Sequence, residues 1–231
     1  MGSVEAEAIA AGLSRHGLLL RGGFDFDDGD DRPSGPSGTP AGSVLLVGSA
    51  GAQWWSAFQR WIDTQPHVMA EPLDSWALEI VGRIADDAGA RLVMPNDRPY
   101  APFQQWAVRA EGLKPSPIGL LMHPGYGLWH AYRAALLFDG PLAREVNHAP
   151  LEPIHLCDAC TGKPCMKSCP VGAHSAAGFA YQNCLDQVRG SGGALCREGG
   201  CLDRNACPHG TDWRYPPDVQ AFFQSAFAGL T

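Results

Sequence analysis

A chain of 231 residues with 45% hydrophobic and 18% charged residues suffices for one substantial domain and a small appendage. Its formal net charge of -7 argues against a nucleic-acid or anionic-membrane surface. No stretch reaches the ~18 apolar residues of a membrane span, and residues 1–10, with Glu5 and Glu7, do not read as a secretory leader. A cytoplasmic location is expected.

In chain order, residues 4–15 are expected to form a helix carrying Ala8, Ile9, Ala11 and Leu13, and residues 17–26 an extended apolar run. Residues 25–42 turn acidic (Asp27, Asp28, Asp30, Asp31) and then Pro/Gly/Ser-rich, the pattern of a loop; 27–42 are expected to be flexible. The acidic run lacks the spacing and terminal Glu of a calcium loop and reads as solvated. Residues 43–48 make a buried strand, and Gly48 and Gly51 lead into a helix at 54–61. A strand, turn and helix suit an anion, but neither the dinucleotide fingerprint nor the P-loop is complete, so this is a packing turn. A second helix spans 73–88, with Trp76, Ala77, Ile80, Val81 and Ile84 facing the core. Trp54, Trp55, Trp61 and Trp76 are assigned to the core. A strand at 91–94 and a short helix at 103–110 follow.

Residues 116–138 place Pro and Gly in a turn between an apolar strand and a longer apolar strand or helix. His123, Tyr126, Trp129, His130 and Arg133 gather around it. By spacing alone this is a core hairpin with a satisfied histidine.

All eight cysteines lie in two groups: Cys157, Cys160, Cys165, Cys169 and then Cys184, Cys196, Cys201, Cys207. Both groups end in Cys-Pro. In a reducing compartment, clustered thiols are ligands rather than bridges. The run resembles the bacterial ferredoxin motif C-x2-C-x2-C-x3-C-P, with four residues instead of two in its middle gap. Two all-cysteine zinc sites would use the same residues and are the main alternative. The ferredoxin rule implies crossed sets: Cys157, Cys160 and Cys165 completed by Cys207, and Cys184, Cys196 and Cys201 completed by Cys169. His155 then supports the site rather than ligating it.

His123-Pro124-x-Tyr126-Gly127-x-Trp129-x-Ala131-x-Arg133 resembles a segment of the CblC-type cobalamin-processing proteins. Ser116-x-x-Gly119 before it, and the eight-cysteine module after it, are similar to epoxyqueuosine reductases and reductive dehalogenases. The resemblance covers residues 91–210. It implies an α+β fold: a flavin-nitroreductase-like α/β domain at 1–150, a ferredoxin-like module with two four-iron (4Fe–4S) clusters at 151–215, and a C-terminal helix at 216–231. It also implies base-off cobalamin lined by Ser116, Gly119, His123, Pro124, Tyr126, Gly127 and Trp129, with Arg133 on a carboxamide or phosphate. A brace of Trp129 and Arg133 on the strand is the structural alternative. The catalytic-acid motif of the reductases is matched only out of register, by Asp97. Neither their long C-terminal repeat domain nor the dehalogenases' twin-arginine leader is matched, so a short relative is expected. An unidentified electron donor is implied, and residues 211–231 pack back or form a dimer contact. The competing readings are an electron carrier without cobalamin and an FMN-dependent reductase.

Overall fold

The structure is a computed structural model that describes residues 2–67, 69–142 and 155–230. It is a mixed helix-and-strand fold with open sheets, in agreement with the α+β expectation. The described residues divide into two units, 2–112 with 131–142 and 113–130 with 155–230. The boundary expected at 150/151 lies outside the described residues. Residues 113–130, assigned by sequence to the first domain, group with the thiols.

The first unit is built on a four-stranded sheet of order β1-β2-β6-β3. Its strands are β1 (Leu19–Asp25), β2 (Ser43–Ala50), β3 (Arg91–Val93) and β6 (His130–Phe138). All eight residues of β2 are buried, as expected for a strand covered on both faces. The run that could be read as strand or helix is β6, pairing antiparallel with β3 in the register Leu136↔Leu92. Ladder hydrogen bonds to a neighbour, unavailable to sequence periodicity, decide it. Gly48 is required here, because a Cβ would lie 2.3 Å from the Ala131 carbonyl oxygen.

Helices α1 (Gly2–Ser14), α2 (Trp55–Ile62), α3 (Pro72–Asp87) and α4 (Phe103–Glu111) complete the unit. Trp54, Phe58 and Trp76 form an aromatic knot with centroids 5.7–6.1 Å apart. Truncating one of these rings costs about 3–5 kcal/mol. Trp55 and Trp61 are half-buried, and the Trp61 indole donates to Glu79 Oε2 at 2.7 Å.

Residues 27–42 are tied back rather than left loose. Arg109, in α4, donates to Asp27 at 2.8 Å and Asp30 at 2.6 Å, while Ser37 Oγ donates to Asp139 at 2.9 Å. Asp27 and Asp30 thus find a partner some 80 residues away on an otherwise exposed acidic run.

The second unit has two small hairpins, β4 (Lys114–Pro115) with β5 (Leu121–Met122) and β7 (His174–Ser175) with β8 (Gly178–Phe179). Short helices α5 (Leu156–Ala159), α6 (Tyr181–Arg189), α7 (Ala194–Gly199) and α8 (Leu202–Asn205) carry or flank thiols. The C-terminal α9 (Pro217–Ala228) starts with Pro at its first turn, ends on Gly229 in the left-handed region, and packs on α7 and α6. No helix among the described residues is long and apolar enough to cross a membrane.

Candidate metal centres and the His123 turn

The first thiol quartet is assembled by a tight reversal. Cys157 lies on α5; Gly162 (φ +77°) and Lys163 (φ +40°) then turn the chain so that Cys165 faces back on the single turn Pro164–Met166. Cys207 arrives after α8. These three and Cys160 surround a cavity of about 10 Å³, lined also by Ser116, Met122, Leu128 and His209. That is room for about one water. Burial pushes the Cys157 thiol up to about 11, and the nearby sulfurs of Cys207, Cys165 and Cys160 push it the same way.

The second quartet consists of Cys169, Cys184 on α6, Cys196 on α7, and Cys201 before α8, around a cavity of about 160 Å³. Burial again raises Cys184 to about 11, followed by the sulfurs of Cys201, Cys169 and Cys196. The sulfur neighbours of Cys165, Cys196 and Cys207 likewise come only from their own quartets. The grouping is therefore crossed: Cys169 joins the later thiols and Cys207 the earlier ones.

Among the described residues, no three His, Cys, Asp or Glu side chains converge closely enough to hold a single metal ion. Each quartet lines a cavity, and an all-thiol donor set is the chemistry that holds either a zinc ion or an iron–sulfur cluster. Loading the tighter first cavity requires its lining to move outward and its thiols to lose their protons.

Sequence reasoning missed Asp203. It is 1% exposed, and its Oδ1 accepts from the backbone N–H groups of Ser168 at 2.9 Å and Cys169 at 2.7 Å. Oδ2 pairs with His174 Nδ1 at 2.8 Å. One buried carboxylate thus fixes the Cys169 turn, α8 and β7 together. Nothing local in the sequence marks it, because its partners lie 29–35 residues away.

His123 and Gly127 pair with each other across the predicted turn, with both backbone N–H···O distances at 2.9 Å. His123 Nδ1 accepts from the backbone N–H of Gly125 and Tyr126, each at 3.0 Å. Its ring proton is therefore on Nε2. Tyr126 stacks on the imidazole with centroids 4.2 Å apart. Gly127 has φ +59°, and a Cβ there would lie 2.3 Å from the His209 carbonyl oxygen. Only glycine lets this turn close on the segment that follows Cys207.

The other expected cobalamin residues separate by exposure. Gly119 is exposed, in a turn closed by its N–H to the Ser116 carbonyl at 2.9 Å. Pro124 and Tyr126 are half-exposed. Ser116 lines the first thiol cavity. Trp129, expected to line a ligand, is fully enclosed by the Tyr215 ring at 5.4 Å and the Arg204 guanidinium at 4.5 Å; it braces the unit. Arg133 belongs to the other unit, where its guanidinium carbon sits 5.3 Å from the Trp54 ring. Asp97 is exposed and caps its own turn, accepting from Met94 N–H at 2.8 Å.

By fold, the chain is similar to B12-trafficking and epoxyqueuosine-reducing proteins. It superposes on the C. elegans B12-trafficking protein CblC, a human MMACHC homologue, with TM-score 0.52 and 15% identity over 97% of this chain and 96% of that one. An epoxyqueuosine reductase with a tRNA-Tyr epoxyqueuosine-modified stem loop gives TM-score 0.51 and 16% identity over 94% and 70%. The Bacillus subtilis epoxyqueuosine reductase gives 0.50 and 15% over the same shares. No protein-family model matches the chain, nor does any curated protein sequence.

Proposed function

We propose that this chain is an iron–sulfur protein that binds cobalamin base-off and passes electrons to its cobalt, in cobalamin reduction or processing or in a cobalamin-dependent reduction. The observation that carries this reading is the sorting of all eight thiols into two crossed quartets, each around its own cavity. The His-Pro turn and the fold likeness to CblC and epoxyqueuosine reductase support the cobalamin half. Bound 4Fe–4S clusters would supply one-electron carriage, and a bound corrin a cobalt able to accept those electrons.

The chain's own residues divide the work. Three thiols of the second quartet (Cys169, Cys184, Cys201) are half-buried, against Cys160 alone in the first. The second quartet is thus the one a donor at the surface reaches more readily. The first shares its cavity with Ser116 and Leu128, from either side of the His123 turn. That turn and the separate Ser116–Gly119 turn offer Gly119, Pro124 and Tyr126 to a ligand, with the Tyr126 ring held by the His123 imidazole.

The test is an anaerobic absorbance titration of reconstituted protein with hydroxocobalamin, before and after dithionite. The expected result is about eight irons per chain, from two four-iron clusters, and a cobalamin spectrum that moves to the base-off form and then to reduced cobalt. Clusters without any corrin change would leave an electron carrier. Released flavin would indicate the FMN-dependent reductase, and zinc in place of iron would overturn the reading.

A further inference from the structure

Two buried polar atoms beside the first quartet have no partner. Ser116 Oγ and His209 Nε2 are both shielded from solvent, and neither makes a hydrogen bond to any described residue. Both residues line the cavity formed by Cys157, Cys160, Cys165 and Cys207. A buried hydroxyl or imidazole N–H left unsatisfied costs about 1–3 kcal/mol, so such groups are retained where an acceptor completes them. Around this cavity the other lining side chains are thiols, apolar groups, prolines and Lys163. The missing partner is therefore whatever the thiols hold, which accepts from the Ser116 hydroxyl and from the His209 ring in the tautomer that carries its proton on Nε2.

We propose that Ser116 and His209 donate hydrogen bonds to sulfur atoms of the cluster held by the first quartet, and thereby set its reduction potential above that of the second. This rests on the iron–sulfur reading of the quartets. The physical basis is charge: reduction adds an electron that resides partly on sulfur, and an N–H or O–H aimed at that sulfur stabilises the reduced form. Lys163, also lining this cavity, acts in the same direction. The second quartet is surrounded differently. The buried Asp203 carboxylate takes the N–H groups of Ser168 and Cys169, and its charge bears on Cys184 and Cys201 there as well as on Cys165 of the first quartet. Cys169 Sγ accepts from the Ala173 N–H at 3.4 Å, but among the described residues no side chain lining that cavity is a buried donor without a partner. Ser116 thus serves the metal group rather than a corrin.

The experiment is an anaerobic redox titration followed by electron paramagnetic resonance, with iron counted on the same samples. It compares the wild type with Ser116→Ala, His209→Phe, and the donor-retaining Ser116→Thr and His209→Gln. Wild-type protein should reduce in two steps. In Ser116→Ala and His209→Phe the higher-potential step should fall, changing its reduced-to-oxidised ratio at fixed potential about tenfold, or about 59 mV for a one-electron couple. The lower step should stay in place, and at least one donor-retaining variant should restore the wild-type value. Full iron with neither step moved overturns the proposal, as does a shift of equal size in the donor-lacking and donor-retaining forms. Wild-type protein that takes up no iron would instead remove the reading on which the proposal rests.

Discussion

The two thiol quartets use the same ligands in different surroundings, and the contrast shows how one short module can hold two unlike sites. The first quartet is enclosed: three of its thiols are buried in an apolar cluster with Ile118, Met122 and Leu128. Its cavity is small and lined by Ser116 and His209, whose Oγ and Nε2 have no hydrogen-bond partner among the described residues. The second is larger and more open, and a buried aspartate positions it. Identical side-chain chemistry is thus separated by burial and by which polar side chains line each cavity, both levers on the behaviour of a metal–sulfur site.

The hardest test of the comparison is the pairing itself. Cys169→Ser with Cys184→Ser removes two thiols of one quartet and should lower iron to about half. Cys169→Ser with Cys157→Ser touches both quartets and should leave almost none, since ligand loss and folding are coupled in small metal domains. Equal iron loss in the two double variants would contradict the crossed arrangement.

Asp203→Ala should come next. It strands the donors of Ser168, Cys169 and His174 in a buried site and should lower unfolding free energy by about 3 kcal/mol. In a chelator challenge, iron should leave in two phases, with only the phase belonging to the second quartet accelerated. Uniform acceleration would show that the carboxylate braces the whole module instead.

Gly127→Ala probes the other side. Its φ of +59° and the 2.3 Å approach to the His209 carbonyl should make the methyl group cost about 2 kcal/mol, read from a denaturant midpoint. The faster iron loss should now be confined to the first quartet.

The mildest change lies in the other unit. There the Tyr132 hydroxyl donates to Glu111, whose carboxylate is gripped by Arg21 at 2.9 and 3.0 Å. Burial raises the Tyr132 phenol well above its ordinary range, so it is a neutral donor at any working pH. Tyr132→Phe should cost about 1 kcal/mol and leave iron content unchanged. A drop in iron would mean that this triad supports the metal module after all.

Much of the framework was legible in the sequence because its signals are local. Alternation and apolar runs marked β2, α3 and α9, and glycine and proline marked the His123 turn. Cysteine spacing, with its Cys-Pro endings, marked two thiol groups, and the likeness to the ferredoxin run implied the crossing of Cys169 and Cys207. What sequence could not show depended on distant partners. Arg109, far along the chain, was invisible as the partner of Asp27 and Asp30. Trp129 could be read either as a ligand wall or as a brace, and its enclosure by Tyr215 and Arg204 was not visible in the sequence.

The sequence by itself determined which chemical groups are available, because eight clustered thiols and a His-Pro turn are properties of residue identity and spacing. Tertiary structure alone decided how those groups differ. It placed Asp203 beneath Cys169, left Ser116 and His209 facing the first cavity, and enclosed Trp129. Burial, hydrogen-bond satisfaction and local charge arise only when segments remote in sequence meet, and those quantities distinguish one quartet of cysteines from another.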